Sequence, residues 1–245
     1  KLSKPVDVNG KQHEYFDSEV AQAVIERYNK IYHKDGGVSE SFGQHQVNDQ
    51  SINAMLRLDW NINDRNKMMV RYQFMDAYAD KYSSGANSYY FNNSSYKQSN
   101  RTNTLVLELN SRPSEMISNE FRATAVMVRD KRSVPYQGAN MYIRDNVTIN
   151  LGTEYSSGAN SMSSDTYTIS DNLSIFAGNH NITVGTHNEI YRFNNLFLQY
   201  AFGGYTYTSL ANFFAGTPSE FNFRYADPTV AGVNGPRWAA TTYAA

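Results

Sequence analysis

A chain of 245 residues is long enough for one large domain or two small ones, and a net charge of −1 with a pI near 6.6 supplies no electrostatic case for nucleic acid. The absence of cysteine excludes disulfide staples and thiol chemistry. No stretch approaches the roughly 18 consecutive apolar residues of a transmembrane helix, mean hydropathy is −0.60, and the outlier is tyrosine, 19 Tyr and 13 Phe beside 2 Trp.

Residues 1–16 carry Pro5 and Asn9-Gly10 without a sustained period and read as a loop or short hairpin. A helix follows over about 18–34. Asp17 or Ser18 caps it, Glu19 suits its positive end, and Val20, Val24, Tyr28 and Ile31 recur at helical spacing until Lys30, His33 and Lys34 give way to Gly36-Gly37. Its apolar stripe is the kind that packs on neighbouring structure, and residues 1–50 as a whole read as a loop that carries this helix.

Residues 51–82 form the clearest element, a long hairpin. Ile52, Ala54, Leu56, Leu58, Trp60 and Ile62 share one face, and Asn53, Met55, Arg57, Asp59 and Asn61 the other. After the polar turn Asn63-Asp64-Arg65-Asn66-Lys67, the return strand repeats the split with Met68, Val70, Tyr72 and Phe74 against Met69, Arg71, Gln73 and Met75. Runs of about ten residues, apolar outward and polar inward, satisfy a transmembrane β-strand. The same pattern would serve a large soluble sheet.

The stretch 83–98 holds Tyr89, Tyr90, Phe91 and Tyr96 among Ser, Asn and Gly, chemistry that suits glycans or peptides and equally suits loops packing on themselves. A second hairpin spans 102–130, with its turn at Ser111-Arg112-Pro113-Ser114, and a third spans 165–193, with its turn at Ala177-Gly178-Asn179-His180. Between them lies a long link rich in Gly, Asn, Ser and Tyr, so short and long connections alternate as in outer-membrane barrels. Inside that link Tyr155–Ser161 repeats the seven residues Tyr82–Ser88, read as convergent turn sequence because the flanks do not match. Residues 194–245 read as loop, a short helix ending at Gly216-Thr217-Pro218 and one further candidate strand, Glu220–Ala226.

Enzyme constellations are absent: no phosphate loop, no HExxH, no nucleophile elbow. Ser94-Ser95-Tyr96-Lys97 has Ser-x-x-Lys spacing without partner motifs, and His13, His33, His45, His180 and His187 show no paired metal-ligand spacing. His187 beside Glu189 is the single acid–imidazole pair on one strand face. No catalytic residue, metal or cofactor is expected.

Three stretches occur in a telling order: Arg57-Leu58-Asp59-Trp60-Asn61-Ile62-Asn63-Asp64-Arg65-Asn66-Lys67, Gly185-Thr186-His187-Asn188-Glu189, and Tyr207-Thr208-Ser209-Leu210-Ala211-Asn212-Phe213-Phe214. Together they make the chain, over roughly residues 15–225, resemble TonB-dependent outer-membrane receptors, in particular the subgroup with a carboxypeptidase-regulatory-like domain before the plug. The resemblance implies an all-β, antiparallel up-and-down transmembrane barrel of about 22 strands closed by a plug. Here 1–245 would be an internal segment of its wall without the plug, with long outer loops, one or two short helices in those loops, and energised nutrient uptake as the parent's function.

Arg57, Asp59, Arg71, Glu108 and Arg122 would face the lumen or plug, or else simply pair across strands. Tyr89, Tyr90, Phe91 and Tyr96 would capture ligand. The partners implied are outer-membrane lipid, the parent's own plug, the TonB system and a surface lipoprotein, with no nucleic acid, in the cell outer membrane of a Gram-negative bacterium. The alternative is a soluble or surface-exposed β-rich module for carbohydrate binding or adhesion.

Overall fold

The computed structural model describes residues 1–32, 39–227, 229–230 and 237–244, the last of these as backbone. In chain order come β1 (Val6–Val8), β2 (Lys11–His13), α1 (Ser18–Tyr32), β3 (Asp49–Asn63), β4 (Asn66–Lys81), β5 (Ser88–Tyr90), a 3-10 turn (Asn92–Ser94), β6 (Tyr96–Ser114) and β7 (Ile117–Ser133). After these follow β8 (Asn140–Arg144), β9 (Thr148–Leu151), β10 (Asn160–Ala177), β11 (His180–Phe197), β12 (Gly204–Tyr207), α2 (Leu210–Ala215), β13 (Glu220–Asn222) and β14 (Arg237–Ala244).

Two bodies of different character result. The long strands form a seven-stranded antiparallel sheet in the order β14-β11-β10-β7-β6-β4-β3, a meander open at both edges among the described residues. Its register carries each strand's alternation across the sheet. Leu58 opposes Val70, which opposes Leu107, then Ala123, then Ile169; one row along, Leu56, Tyr72, Leu105, Ala125, Tyr167 and Ile190 line up. The opposite face holds Arg57 beside Arg71, and Glu108 beside Arg122. Toward the long-loop end the apolar face gives way to a charged row. Arg101 pairs with Asp76 at 2.8 Å, and Asp165, only 3% exposed, accepts Arg129 at 2.5 Å and Arg192 at 3.1 Å.

The hairpins turn through Asp64-Arg65, Glu115-Met116 and Gly178-Asn179. The second differs from the sequence expectation of a turn at 111–114: β6 continues through Arg112-Pro113 as an irregularity between Ser111 and Ser114, the kind of break at which a strand tolerates proline. At the third, Gly178 takes φ +58°, open to glycine at no steric cost.

The second body is built where the sequence reads as loop. Segments 1–32, 82–95, 134–159 and 198–227 assemble a five-stranded sheet, β13-β12-β8-β9-β5, with the β1–β2 hairpin and both helices around it. All four lie at the end of the large sheet away from the tight turns. The connected buried core sits entirely in this cap, where Val20, Val24 and Tyr28 of α1 meet Met141, Ile143, Ile149, Leu151, Leu210 and Phe213.

Helix α1 starts as the sequence predicts, with the Asp17 carboxylate accepting the Val20 amide at 2.9 Å, and runs through Tyr32; His33, Lys34 and Gly36-Gly37 lie outside the described residues. The short helix α2 is capped by Ser209, whose Oγ accepts Asn212 N at 3.1 Å, and it ends on Gly216 at φ +72°. The expected strand at 220–226 is cut to Glu220–Asn222, because only those residues find a partner in β12.

Two carboxylates, Glu40 buried and Asp145 half-buried, knit the cap. Glu40 Oε1 accepts Asn93 N (2.9 Å) and Ser41 N (3.3 Å), and its Oε2 accepts Gly152 N (2.7 Å). Asp145 accepts Ser3 N (2.5 Å), Asn146 N (2.7 Å) and Leu210 N (3.0 Å). Each gathers amides from segments distant in sequence, satisfying donors that burial would otherwise orphan. The repeated heptads occupy unlike settings, Tyr82–Ser88 leaving β4 toward β5 and Tyr155–Ser161 entering β10, so the repeat is not architectural.

Candidate functional site

The five-stranded sheet of the cap has two faces. Along β8, Met141 and Ile143 point to the core and Asn140, Tyr142 and Arg144 point away; along β9, Ile149 and Leu151 are core and Asn150 joins the other face. Register sets Tyr142 opposite Asn150, and Asn150 beside Tyr90 of β5. These residues, with Ser94, Glu154, Tyr155 and Tyr200, line a cleft of about 300 Å³.

Four tyrosines and one guanidinium give the cleft its chemistry. Tyr155 and Tyr200 rings lie 5.3 Å apart, tilted, and the Arg144 guanidinium sits 5.0 Å from the centre of the Tyr142 ring. Arg144 is exposed, and no carboxylate lies within salt-bridge distance of it among the described residues. Glu154 is already engaged, accepting Ser156 N at 3.1 Å and both the Ser156 and Ser157 hydroxyls. Asn140 Nδ2 donates to Thr153 O at 3.1 Å, whereas Asn150 Nδ2 is buried without a partner. Burial, with Tyr142 and Glu154 nearby, raises the Tyr90 phenol above its usual range, and burial beside Tyr155 does the same to Tyr200, so both are proton donors at neutral pH. Tyr200 takes φ +53°, an unusual backbone for a bulky residue, and its N–H donates a hydrogen bond to Tyr155 O at 2.7 Å.

The four aromatics singled out by sequence do not converge. Tyr90 lines the cleft. Tyr89 alternates to the other side, its ring 4.7 Å from Phe16, and Phe91 is 3% exposed in the core. Tyr96 lies at the start of β6 with the Arg132 guanidinium 4.9 Å over its ring. Tyr142, Arg144, Asn150, Tyr155 and Tyr200 escape a sequence reading that treats 130–164 and 194–206 as links. The signal that could find Tyr142 and Arg144 is the strict alternation of Asn140-Met141-Tyr142-Ile143-Arg144, a strand too short to separate from loop by composition.

The five charged residues expected to face a lumen share one face of the large sheet, and four of them pair locally. Arg57 binds Asp59 at 2.8 Å and Arg122 binds Glu108 at 2.8 Å, while Arg71 Nε is buried without a partner. His187 lies 3.5 Å from Glu189 on that face. Ser94 is buried in the cap and donates to Gly152 O, while Lys97 lies over the Tyr78 ring at 4.2 Å, so the Ser-x-x-Lys spacing makes no pair. No group of acids and histidines that could hold a metal occurs among the described residues.

A two-faced antiparallel meander of long strands, greasy on one side and charged on the other, with tight turns at one end and folded loops at the other, defines the wall of an outer-membrane β-barrel. The chain belongs to the outer membrane beta barrel domain family, whose model matches residues 9–245, and its place is therefore the outer membrane. Among solved structures it is similar in fold to the outer membrane transporter YddB from Escherichia coli, with a TM-score of 0.52 and 13% identity over 83% of this chain and 26% of that one. The chain thus spans about a quarter of that transporter's length. No curated protein matches the sequence.

Proposed function

We propose that these residues form a section of the wall of a TonB-dependent receptor in the outer membrane of a Gram-negative bacterium. In this reading the rest of the barrel and a plug come from elsewhere in the parent protein, TonB supplies the energy, and a surface lipoprotein covers the outer end. The observation that carries the reading is the register of the large sheet, which collects Leu58, Val70, Leu107, Ala123 and Ile169 on one face and Arg57, Arg71, Glu108 and Arg122 on the other. Hydrocarbon suits the first face; a polar interior or plug suits the second. The cap, with its own core and a tyrosine-rich cleft, supports ligand capture at the loop end. It also favours a role in which the loops bind carbohydrate or another surface on their own account.

The test pairs two measurements on the full-length protein in detergent or bilayers: co-purification with the periplasmic domain of TonB, and conductance. Capture of TonB by a barrel that does not conduct passively is the expected result. A barrel that ignores TonB and passes ions freely is a pore, and the energised reading fails.

A further inference from the structure

We propose that the cap cleft binds a monoanionic, hydroxylated ring, the chemistry of a sugar acid, with the ligand carboxylate on Arg144 and the ring against Tyr155 and Tyr200. The inference rests on reading the cap as the ligand-facing end of the barrel wall.

Three observations converge on this class. Arg144 presents a planar donor fork at the cleft with no carboxylate in salt-bridge distance among the described residues, and its guanidinium lies 5.0 Å from the centre of the Tyr142 ring. Guanidinium groups so placed take carboxylates through two parallel N–H···O bonds. Asn150 Nδ2, in a residue 6% exposed and itself part of the lining, is a donor with no acceptor among the described residues. A buried amide donor left alone is costly, so an acceptor oxygen brought by a ligand is rewarded at that point. Tyr155 is 44% exposed and tilted toward Tyr200, a surface on which the C–H face of a sugar ring can lie.

Charge decides between anions. Glu154 lines the same cleft, and the Arg224 guanidinium, 5.9 Å from the centre of the Tyr200 ring, is turned to Gln199 Oε1 at 2.7 Å. The single unpaired guanidinium seats one carboxylate, and Glu154, already held by Ser156 and Ser157, repels a second negative charge and so disfavours a phosphate dianion. A neutral sugar would leave Arg144 without its counter-charge.

The experiment is calorimetric titration of the full-length protein in detergent with sodium glucuronate, glucose and inorganic phosphate. Glucuronate is expected to bind, with glucose and phosphate at least tenfold weaker. Arg144→Ala should weaken glucuronate by roughly tenfold to a hundredfold, with Arg144→Lys between the two, because lysine keeps the charge and loses the fork. The Arg144 side chain is exposed, so truncation spares the core; amide exchange at Gly152 and Asn93 verifies that the cap is folded in each variant. Asn150→Asp, which puts a carboxylate where the free donor stood, should abolish binding. Equal affinity for glucose and glucuronate, or glucuronate affinity unchanged in Arg144→Ala, overturns the proposal, as does the absence of any binding to a folded cap. None of these results bears on TonB capture, so the two readings fail separately.

Discussion

Glu40 is a carboxylate with amide donors from three segments and almost no water, being 2% exposed. Burial outweighs those donors and pushes its pKa up to about 7, above the ordinary 4.5. Because the folded cap then holds the proton more tightly than the unfolded chain, its stability falls as pH rises from about 4.5 through about 7. Protection of the Gly152 and Asn93 amides, taken relative to the intrinsic exchange rate at each pH, should accordingly fall between pH 5 and pH 8, and Glu40→Ala, which leaves those amides without an acceptor, should remove that fall while lowering protection at both ends of the range. A protection factor whose pH dependence is unchanged by the substitution contradicts this role. Next to it, Gly152 sits at φ +73°, and an added Cβ would come within 2.2 Å of Ala139 O and 2.4 Å of the Tyr28 hydroxyl, which itself donates to Ala139 O at 3.0 Å. Gly152→Ala should therefore cost the cap more than Tyr28→Phe, whose loss of one hydrogen bond is worth about 1 kcal/mol, as compared by thermal melting followed through tyrosine absorbance.

At the scale of the element, each face of a strand carries its own prediction. Leu58 lies mid-strand on the apolar face, 61% exposed in this chain, and Thr104 lies on the opposite one. Leu58→Arg should destabilise the barrel in lipid by about 2–4 kcal/mol, the cost of a cation near the bilayer midplane, and Thr104→Arg should change little; urea unfolding in vesicles of phosphatidylcholine measures both. Equal costs would mean that neither face meets hydrocarbon. The hairpins were legible in the sequence because their alternation is long and two of the three turns, at Asp64-Arg65 and Gly178-Asn179, are rich in Asn, Asp and Gly, whereas the Glu115-Met116 turn lacks all three and reads a few residues early; Leu56-Arg57-Leu58-Asp59-Trp60 needs no tertiary information to be read as two-faced. The five-stranded sheet was not legible. Its strands are three to five residues long, two of its pairings are parallel, and its core joins Val24, Ile143, Leu151 and Phe213 from segments remote in the chain. Only the two helices, the first with its Asp17 cap and the second with its end at Gly216, announced that the links were folded at all.

For the whole molecule, the distribution of buried apolar groups sets the logic. Among the described residues every buried hydrophobic side chain but one belongs to the cap; the large sheet contributes Val106 alone, although it holds Leu56, Leu58, Trp60, Ile182 and Val184 with more than half of each side chain's reach to solvent. A sheet with two faces open to water and two unpaired edges would have little to hold it together. In the proposed barrel, lipid against one face and further strands against β3 and β14 would hold the sheet. The capped end then has a different source of stability from the wall, which explains how loops of a barrel can keep a preformed cleft. That the apolar face meets hydrocarbon is the claim on which the rest depends. It is tested most directly by single cysteines at positions 54–60 of the full-length protein in vesicles, spin-labelled and probed with oxygen and with a water-soluble nickel chelate; the 245 residues themselves contain no cysteine. The account predicts a period of two, with labels at Ala54, Leu56, Leu58 and Trp60 reached by oxygen and shielded from the chelate, and those at Met55, Arg57 and Asp59 not reached by oxygen in this way. Equal exposure of both sets to the chelate would contradict it.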